Sequence, residues 1–399
     1  MRSRTLSRFD AIVVGGSVGG LSFAGEAAKR GLSVLVLEEH DEIGEPEKCD
    51  GLVSLRGLRR YGLAPSWGAI QSSVREGLIH PPSGPECSVD AGALEVVVID
   101  RSRYDKQLAE NASELGAIIK TGLRVQRAAE KGELVTVDAG QKYESDYLID
   151  ATGPASAPAR GILPAAKYEV EADWVEEGRV EVFVDQARYP GFFAWIIPYG
   201  VRKAKVGAAG RGINPFKALD ALLESRPHKV IRRVAAPIYV GGPAERFVSG
   251  RKVWVGESAG QVKPTTAGGI ATSIGGGVIA AKWVAESIHS RDPSRLEGYE
   301  TEWRGTFEKE MRAMKRLRGV FERLSNREVD LLVSTLSSPK LLASLGRSDF
   351  DFHATAFLSA LGVVGLFTLA RLVASAEVRQ FLSGVGRQNS KPRLLGRHS

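Results

Sequence analysis

The stretch that most constrains the chain is GGSVGG at 15–20. It follows a short apolar run, 11–14. It opens a helical pattern carried by Leu21, Phe23, Ala24, Ala27 and Ala28, which stops at Gly31. A second apolar run, 33–37, ends in Glu38. Strand, glycine turn, helix and strand in this order predict a β-α-β unit, and with it a parallel sheet covered by helices. Gly15 permits the tight turn and Gly20 lets the helix pack on the strands. Ser17 stands where the middle glycine of G-x-G-x-x-G is usual. The N–H groups at such a helix start, helped by the helix dipole, bind a pyrophosphate. Glu38, 18 residues beyond Gly20, is placed to accept hydrogen bonds from an adenosine ribose. The competing reading is a glycine-rich turn without a ligand. It does not account for the strand before, the helix after and the acid at this spacing.

Composition narrows the class. A chain of 399 residues predicts two or three domains with a core large enough to fold without staples. Charged residues at 25% and hydrophobic residues at 43% exclude a disordered or collagen-like chain. Two cysteines exclude a disulfide scaffold and a four-cysteine zinc site, and the six histidines show no metal spacing. The net charge of +7 is uneven. Residues 304–327 hold eight Lys/Arg against three Glu, and 371–399 hold six against one, so the remainder is slightly acidic. This distribution argues against nucleic acid as a partner and for a globular enzyme with a basic C-terminal third.

Residues 1–9 are basic, but the apolar run after them is too short for a signal peptide, so a cytoplasmic protein is expected. Residues 41–92 read as loops with a short helix near 54–61. Strands are expected at 96–99 and 147–149, with a helix at 103–115 between them. Pieces at 179–184, 192–197 and 205–209 alternate as an antiparallel sheet of a second domain. A strand at 252–255 precedes a helix at 269–289, and the pattern is helical from 291. The 17 residues 354–370 carry no charge, but a spanning helix needs about 20 apolar residues. A buried helix, or one lying in the membrane interface, is expected there.

Residues 253–270, VWVGESAGQVKPTTAGGI, resemble the second FAD fingerprint of the glutathione-reductase-like flavoproteins, with Glu257 in place of the usual aspartate. The ATG at 151–153 resembles the strand-to-loop segment of the same proteins. Three further stretches resemble the geranylgeranyl reductase family. In YPGFFAWIIP (189–198) Pro190, Phe193, Trp195 and Pro198 match its signature, with Ile197 where phenylalanine is usual. KCDG (48–51) is similar to its Cys-Gly-rich segment, with Asp50 at a position usually glycine. Residues 100–117 carry its R-x-x-[FY]-D-x-x-L pattern through Arg101 and Asp105. Together the pieces span about residues 9–290.

The resemblance implies an α/β, glutathione-reductase-like fold of the p-hydroxybenzoate hydroxylase type. It would have an antiparallel-sheet substrate domain and a helical C-terminal region. The FAD-binding domain would be discontinuous (1–75, 93–155 and 246–290), the substrate domain 76–92 and 156–245, and the helical region 291–399. The implied activity is saturation of C=C bonds in geranylgeranyl chains of archaeal-type ether lipids, by hydride from reduced FAD plus a proton. No second glycine fingerprint follows a strand. An external donor, a ferredoxin-like protein or NAD(P)H, would therefore bind transiently.

By the same resemblance, Gly15, Ser17, Gly19 and Gly20 would serve the pyrophosphate and Arg101 a phosphate oxygen. Glu38 would hold the ribose. Val125, in a strand-like piece, would offer its backbone to adenine. Cys49 and Gly51 would lie beside the flavin. Glu257, Gly269 and Ile270 would hold the ribityl chain and pyrimidine. Phe192, Phe193 and Trp195 would line an apolar tunnel. Cys49 has three readings: a small buried hydrophobe, a disulfide partner of Cys87, or a group acting at the flavin.

Two rivals remain on the same cofactor. FAWIIP (193–198) is one residue from the W-x-W-x-I-P motif of flavin halogenases, but no lysine lies between Lys48 and Lys106, which counts against halogenation. A hydroxylating monooxygenase leaves no short motif. The second rival is a flavin-containing lipid-binding protein without turnover. The cations of 304–327 and of the tail from 387 motivate it, and they would also serve peripheral contact with anionic membranes.

Overall fold

The computed structural model describes residues 7–158, 160–347 and 349–355. The first β-α-β unit is β1 (Ser7–Val14), α1 (Val18–Lys29) and β2 (Val34–Leu37). All four residues of β2 are buried, as in a parallel sheet covered on both faces. β1 pairs in parallel with β2 on one side and with β3 (Lys142–Asp150) on the other, so Val13 lies opposite both Val36 and Ile149. Lys252–Trp254 extends the sheet beyond β3 and Ile118–Lys120 extends it beyond β2. Glycine turns and cofactor-facing loops therefore gather at the carboxyl ends of β1, β3 and Lys252–Trp254.

Three helices cover this sheet or its edge. α2 (Arg101–Glu114) starts because the Asp100 side chain accepts a hydrogen bond from the Arg103 N–H at 2.9 Å. It buries Tyr104, Leu108 and Ala112, one residue per turn. α3 (Ile270–Ser290) lies against α1. A Cβ at Gly277 would fall 2.3 Å from the Gly19 carbonyl, so the helices meet this closely only because the side chain is missing. α4 (Glu297–Phe321) buries Tyr299, Trp303, Phe307, Met311 and Met314, an i, i+3/i+4 stripe that joins the core of the parallel sheet.

A second sheet has seven strands. Its order is Lys229–Ala235, Ala165–Glu171, Lys203–Ala209, Ala194–Gly200, Arg179–Phe183, Glu76–His80 and Cys87–Asp90. We call Ala165–Glu171 β4, Ala194–Gly200 β5, Lys203–Ala209 β6 and Lys229–Ala235 β7. Pro215–Leu223 packs on its outer face. A small three-stranded sheet, Leu52–Ser54, Val96–Ile99 and Ile70–Ser73, stands near α2.

Residues 41–92 are therefore not mainly loop. They contribute four strands, Leu52–Ser54, Ile70–Ser73, Glu76–His80 and Cys87–Asp90, besides the short helix Leu55–Arg59. Glu76–His80 is only half-buried and pairs in parallel with Arg179–Phe183, about a hundred residues away. Neither property shows in a local hydrophobic pattern. The described residues after 291 are mainly helical as expected, with Asn326–Leu336 and Pro339–Leu345 following α4. The uncharged run 354–370 lies outside the described residues except for Ala354 and Thr355. Among the described residues no helix is long and apolar enough to cross a membrane.

Candidate cofactor and active site

The starts of α1 and α3 open into one cavity of about 170 Å³. Ser17 is extended at the N-cap of α1 and Gly269 occupies that place on α3. Neither helix start has a side-chain cap. Two sets of first-turn N–H groups thus lack a side-chain acceptor at the same place, which suits an anionic ligand. Gly15 makes the turn at a φ of +106°, and a Cβ there would fall 2.4 Å from the Ala151 carbonyl. Gly19 lies against Gly256, with room for little more than contact: a Cβ would sit 3.4 Å from the Gly256 Cα. Ile270, the first residue of α3, and Gly269 line the same cavity.

Glu38 stands at the end of β2. Its carboxylate accepts hydrogen bonds from the Gly16 N–H at 2.7 Å and the His40 N–H at 3.0 Å. The acid is thereby tied to the glycine turn. Arg101 is buried and points its guanidinium at the turn as well. It donates to Ser17 Oγ at 3.2 Å and to both oxygens of Asp105 at 3.0 Å. Burial alone would lower the arginine pKa, but Asp105 and the Cys49 sulfur outweigh it and raise it. Burial raises the Asp105 carboxyl from its ordinary value, against the opposing pull of Arg101.

Cys49 is half-buried and lines the cavity, and its Sγ accepts from the Gly51 N–H at 3.4 Å. Gly51 has a φ of +80° and backs onto Ile99, whose carbonyl lies 2.0 Å from where a Cβ would stand. The disulfide reading is corrected: both cysteines are free. Cys87 is buried in the second sheet against Leu324, Val329 and Val333, while Cys49 faces the cavity. Val125, expected in a strand-like piece, lies instead in the loop between Ile118–Lys120 and Arg127–Lys131, half-buried beside the parallel sheet and two residues from Leu123, whose N–H donates to the Glu38 carbonyl at 2.8 Å.

Glu257 follows Lys252–Trp254 in a short turn, Gly256–Ala259, and lines the cavity. Burial pushes its carboxyl up to about 7 against the opposing pull of the Tyr239 N–H and the Arg101 charge. A carboxyl raised in this way costs stability once it ionises, so its contribution falls as pH rises from about 4.5 through about 7. The cofactor-free wild type is expected to lose roughly 3 kcal/mol across that window relative to Glu257→Gln, which has no proton to release. Urea unfolding of both proteins at several pH values measures the difference. Parallel pH profiles would refute it.

The three aromatic residues form one cluster. Phe192 stacks on Phe193 at 4.0 Å between centroids, and Trp195 meets Phe193 edge-on at 5.9 Å. Phe192 is fully buried, while Phe193 and Trp195 are half-buried and pack in the same group as Ala267, which itself lines the cavity. Reading the sequence missed the groups beneath. Lys167 and Lys205, 2% and 1% exposed, reach from the second sheet to the segment 47–50. Their only local signal is a lysine at an alternate position of a small-residue strand. Among the described residues no group of three His, Cys, Asp or Glu could hold a metal ion.

Residues 8–211 match the FAD binding domain family. Digeranylgeranylglycerophospholipid reductase 2 of Methanopyrus kandleri is 32% identical over 84% of this chain and 92% of its own. The reductase 1 of the same organism is 31% identical over 85% and 97%. A geranylgeranyl bacteriochlorophyll reductase-like protein of Thermoplasma acidophilum has a TM-score of 0.84 at 23% identity, covering 92% of this chain and 99% of that one. The flavin-dependent brominase Bmp2 has the same fold, with a TM-score of 0.67 at 17% identity, covering 96% and 100%. The fold is thus the FAD-binding α/β fold of the p-hydroxybenzoate hydroxylase type. The residues present fit FAD: an uncapped α1 start for the pyrophosphate, a second uncapped start at α3 for the flavin end, an acid at the end of β2, and glycine turns that leave no Cβ in the way.

Proposed function

We propose that this chain, which belongs to the digeranylgeranylglycerophospholipid reductase family of FAD-binding proteins, saturates C=C bonds of geranylgeranyl chains on archaeal-type ether lipids. The observation that carries this reading is the meeting, at one cavity, of both uncapped helix starts, Cys49 and the loop against the aromatic cluster. When bound, reduced FAD supplies a hydride to one alkene carbon. The N–H groups of the α1 start bind and orient the cofactor's anionic middle, and Glu38 offers its carboxylate to the ribose. Glu257, Gly269 and Ile270 border the flavin end. An isolated alkene accepts hydride poorly, so a proton must reach its other carbon in the same step. Cys49 lines the cavity together with Arg101 and is the group we assign to deliver that proton. Phe193 and Trp195, backed by Phe192, hold the apolar chain and exclude water.

Anaerobic mixing of reduced, FAD-loaded protein with a geranylgeranyl ether lipid tests the reading. The oxidised-flavin absorbance should return with the lipid and stay absent with its saturated counterpart. No return with either would leave a binding protein without turnover. Oxygen consumption coupled to an aromatic substrate instead would point to a monooxygenase.

The electron donor is external in this reading, a ferredoxin-like protein or NAD(P)H, and the protein works in the cytoplasm at the membrane surface. Support for the surface comes from α4 and the turn after it, where Lys309, Lys315, Arg316 and Arg323 are exposed. Other cations of the run are engaged: Arg304 and Arg312 pair with Glu308, and Arg318 is buried, donating to the Gly191 and Pro264 carbonyls. At roughly 1 kcal/mol per cation near an anionic surface, four give measurable binding that salt screens. Sedimentation with phosphatidylglycerol vesicles should carry the protein down at low salt and release it at high salt. Equal partitioning at both would exclude this contact.

A further inference from the structure

Three cations on one face of the second sheet close around the segment that carries Cys49. They fall in two adjacent cross-strand rows, Trp195–Gly207–Lys167 and Ile197–Lys205–Glu169–Arg232. Lys167 Nζ donates to the Cys49 carbonyl at 2.8 Å and stands 3.7 Å from Asp50 Oδ1. Lys205 Nζ donates to Glu47 Oε1 at 2.8 Å and to the Asp50 carbonyl at 3.2 Å. Arg232 donates to the Glu47 carbonyl at 3.1 Å and to its Oε2 at 3.2 Å.

The segment is also held from the aromatic cluster. Trp195 Nε1 donates to Asp50 Oδ2 at 2.8 Å. The indole reaches it by lying across β6 at Gly207, where a Cβ would be 2.2 Å from the ring. Burying lysines is costly, and an apolar side chain of the same length would pack as well. What an apolar side chain could not do is hold a backbone carbonyl. Lys167 alone among the three cations does this at Cys49 itself.

We propose that Lys167 is a positioning residue: by gripping the Cys49 carbonyl it fixes the Cys49 thiol at the cofactor cavity, in register with the substrate-side sheet. The proposal rests on the reading of Cys49 as a group at the reacting face. Arg232 grips the same segment only at Glu47, two residues earlier, and so separates positioning from general support.

The test is alkylation of Cys49 by iodoacetamide in the full-length, FAD-loaded protein, followed by mass spectrometry; Cys87, 1% exposed, is shielded. Lys167→Met should raise the Cys49 rate about tenfold, the loss of one charge-assisted hydrogen bond, and shift the flavin absorbance bands. Arg232→Gln should stay within about twofold of wild type, with unshifted bands, since its contacts, to Glu47 and Glu169, do not reach Cys49. Lys167→Met leaves Asp50 and Glu169 less compensated. The double variant Lys167→Met/Asp50→Asn lightens that burden and should keep the raised rate. A wild-type rate in either Lys167 variant would overturn the proposal, as would an equal rise in Arg232→Gln. If Cys49→Ser keeps full turnover, the reading of Cys49 at the reacting face is lost, while the alkylation comparison still decides whether Lys167 positions it.

Discussion

Gly20→Val should purify as a colourless protein. Gly20 lies where α1 leaves the glycine turn, and a Cβ there would stand 2.2 Å from the Gly15 carbonyl and 3.0 Å from Val13 Cγ1. Both neighbours belong to the turn and to β1, so the added side chain can be accommodated only by moving α1 off the sheet. Overpacking of this kind costs about 1–3 kcal/mol and occasionally more. The displacement falls on the N–H groups that bind the cofactor, so FAD affinity should drop at least about a hundredfold, the equivalent of the upper end of that range. Gly25→Ala, five residues along the same helix, is the contrast. Its Cβ would meet Ala112 at an ordinary 3.7 Å, so it should keep FAD and gain up to about 1 kcal/mol of helix propensity. Flavin-to-protein absorbance ratios and calorimetric titration with FAD measure both. A fully loaded Gly20→Val would contradict the assignment of this turn.

Lys205→Met should be the most destabilising single change outside the cofactor turns. Lys205 is 1% exposed and its ammonium pairs with Glu47 at 2.8 Å. Removing it leaves a largely buried carboxylate whose hydrogen-bonded cation is then Arg232, with Lys167 acting only through its charge, a loss of about 3–5 kcal/mol. The sign with pH follows from Glu47. Burial alone would raise its pKa, but Lys205 and Lys167 overcome that and hold it below the usual carboxylate range. In the wild type the pair therefore stabilises above the unfolded carboxylate pKa, and this contribution is lost as pH falls through the depressed folded value. In Lys205→Met the order reverses: Glu47 becomes easier to protonate, and acidification relieves the defect. The gap in Tm between the two proteins should thus be widest near about pH 7 and narrow towards about pH 5. Thermal unfolding followed by circular dichroism gives both values. A gap independent of pH would mean that Glu47 is not the group left behind. Lys205→Met/Glu47→Leu should recover part of the loss, since an apolar pair can replace a buried ion pair.

These two changes mark the line between what was legible in the sequence and what was not. The glycine turn was legible because its causes are local: an apolar strand, a turn that tolerates no Cβ, a helix of period 3.6 and an acid at the next strand end. The same holds for Gly256–Ala259 and the start of α3. The Lys205 clamp was not legible. In KAKVGAA the lysines alternate as solvent-facing residues would, and Lys205 is buried only because segment 47–50, some 155 residues earlier, returns to cover it. Glu76–His80 was missed for the same reason, since its parallel partner, Arg179–Phe183, lies about a hundred residues along the chain. A bridge to Cys87 was one of three readings of Cys49, but the neighbourhoods of the two cysteines belong to different surfaces, the cavity and the C-terminal helices. Val125 follows residues of alternating polarity yet lies in a loop.

The central claim is that this cavity delivers a hydride and a proton across an isolated prenyl double bond. Mass spectrometry of a digeranylgeranyl ether lipid, incubated anaerobically with the FAD-loaded protein and dithionite, tests it most directly. The products should be heavier by two hydrogens per bond reduced, formed in step with flavin reoxidation and lost in Gly20→Val. A lipid of unchanged mass beside fully reduced flavin would contradict it.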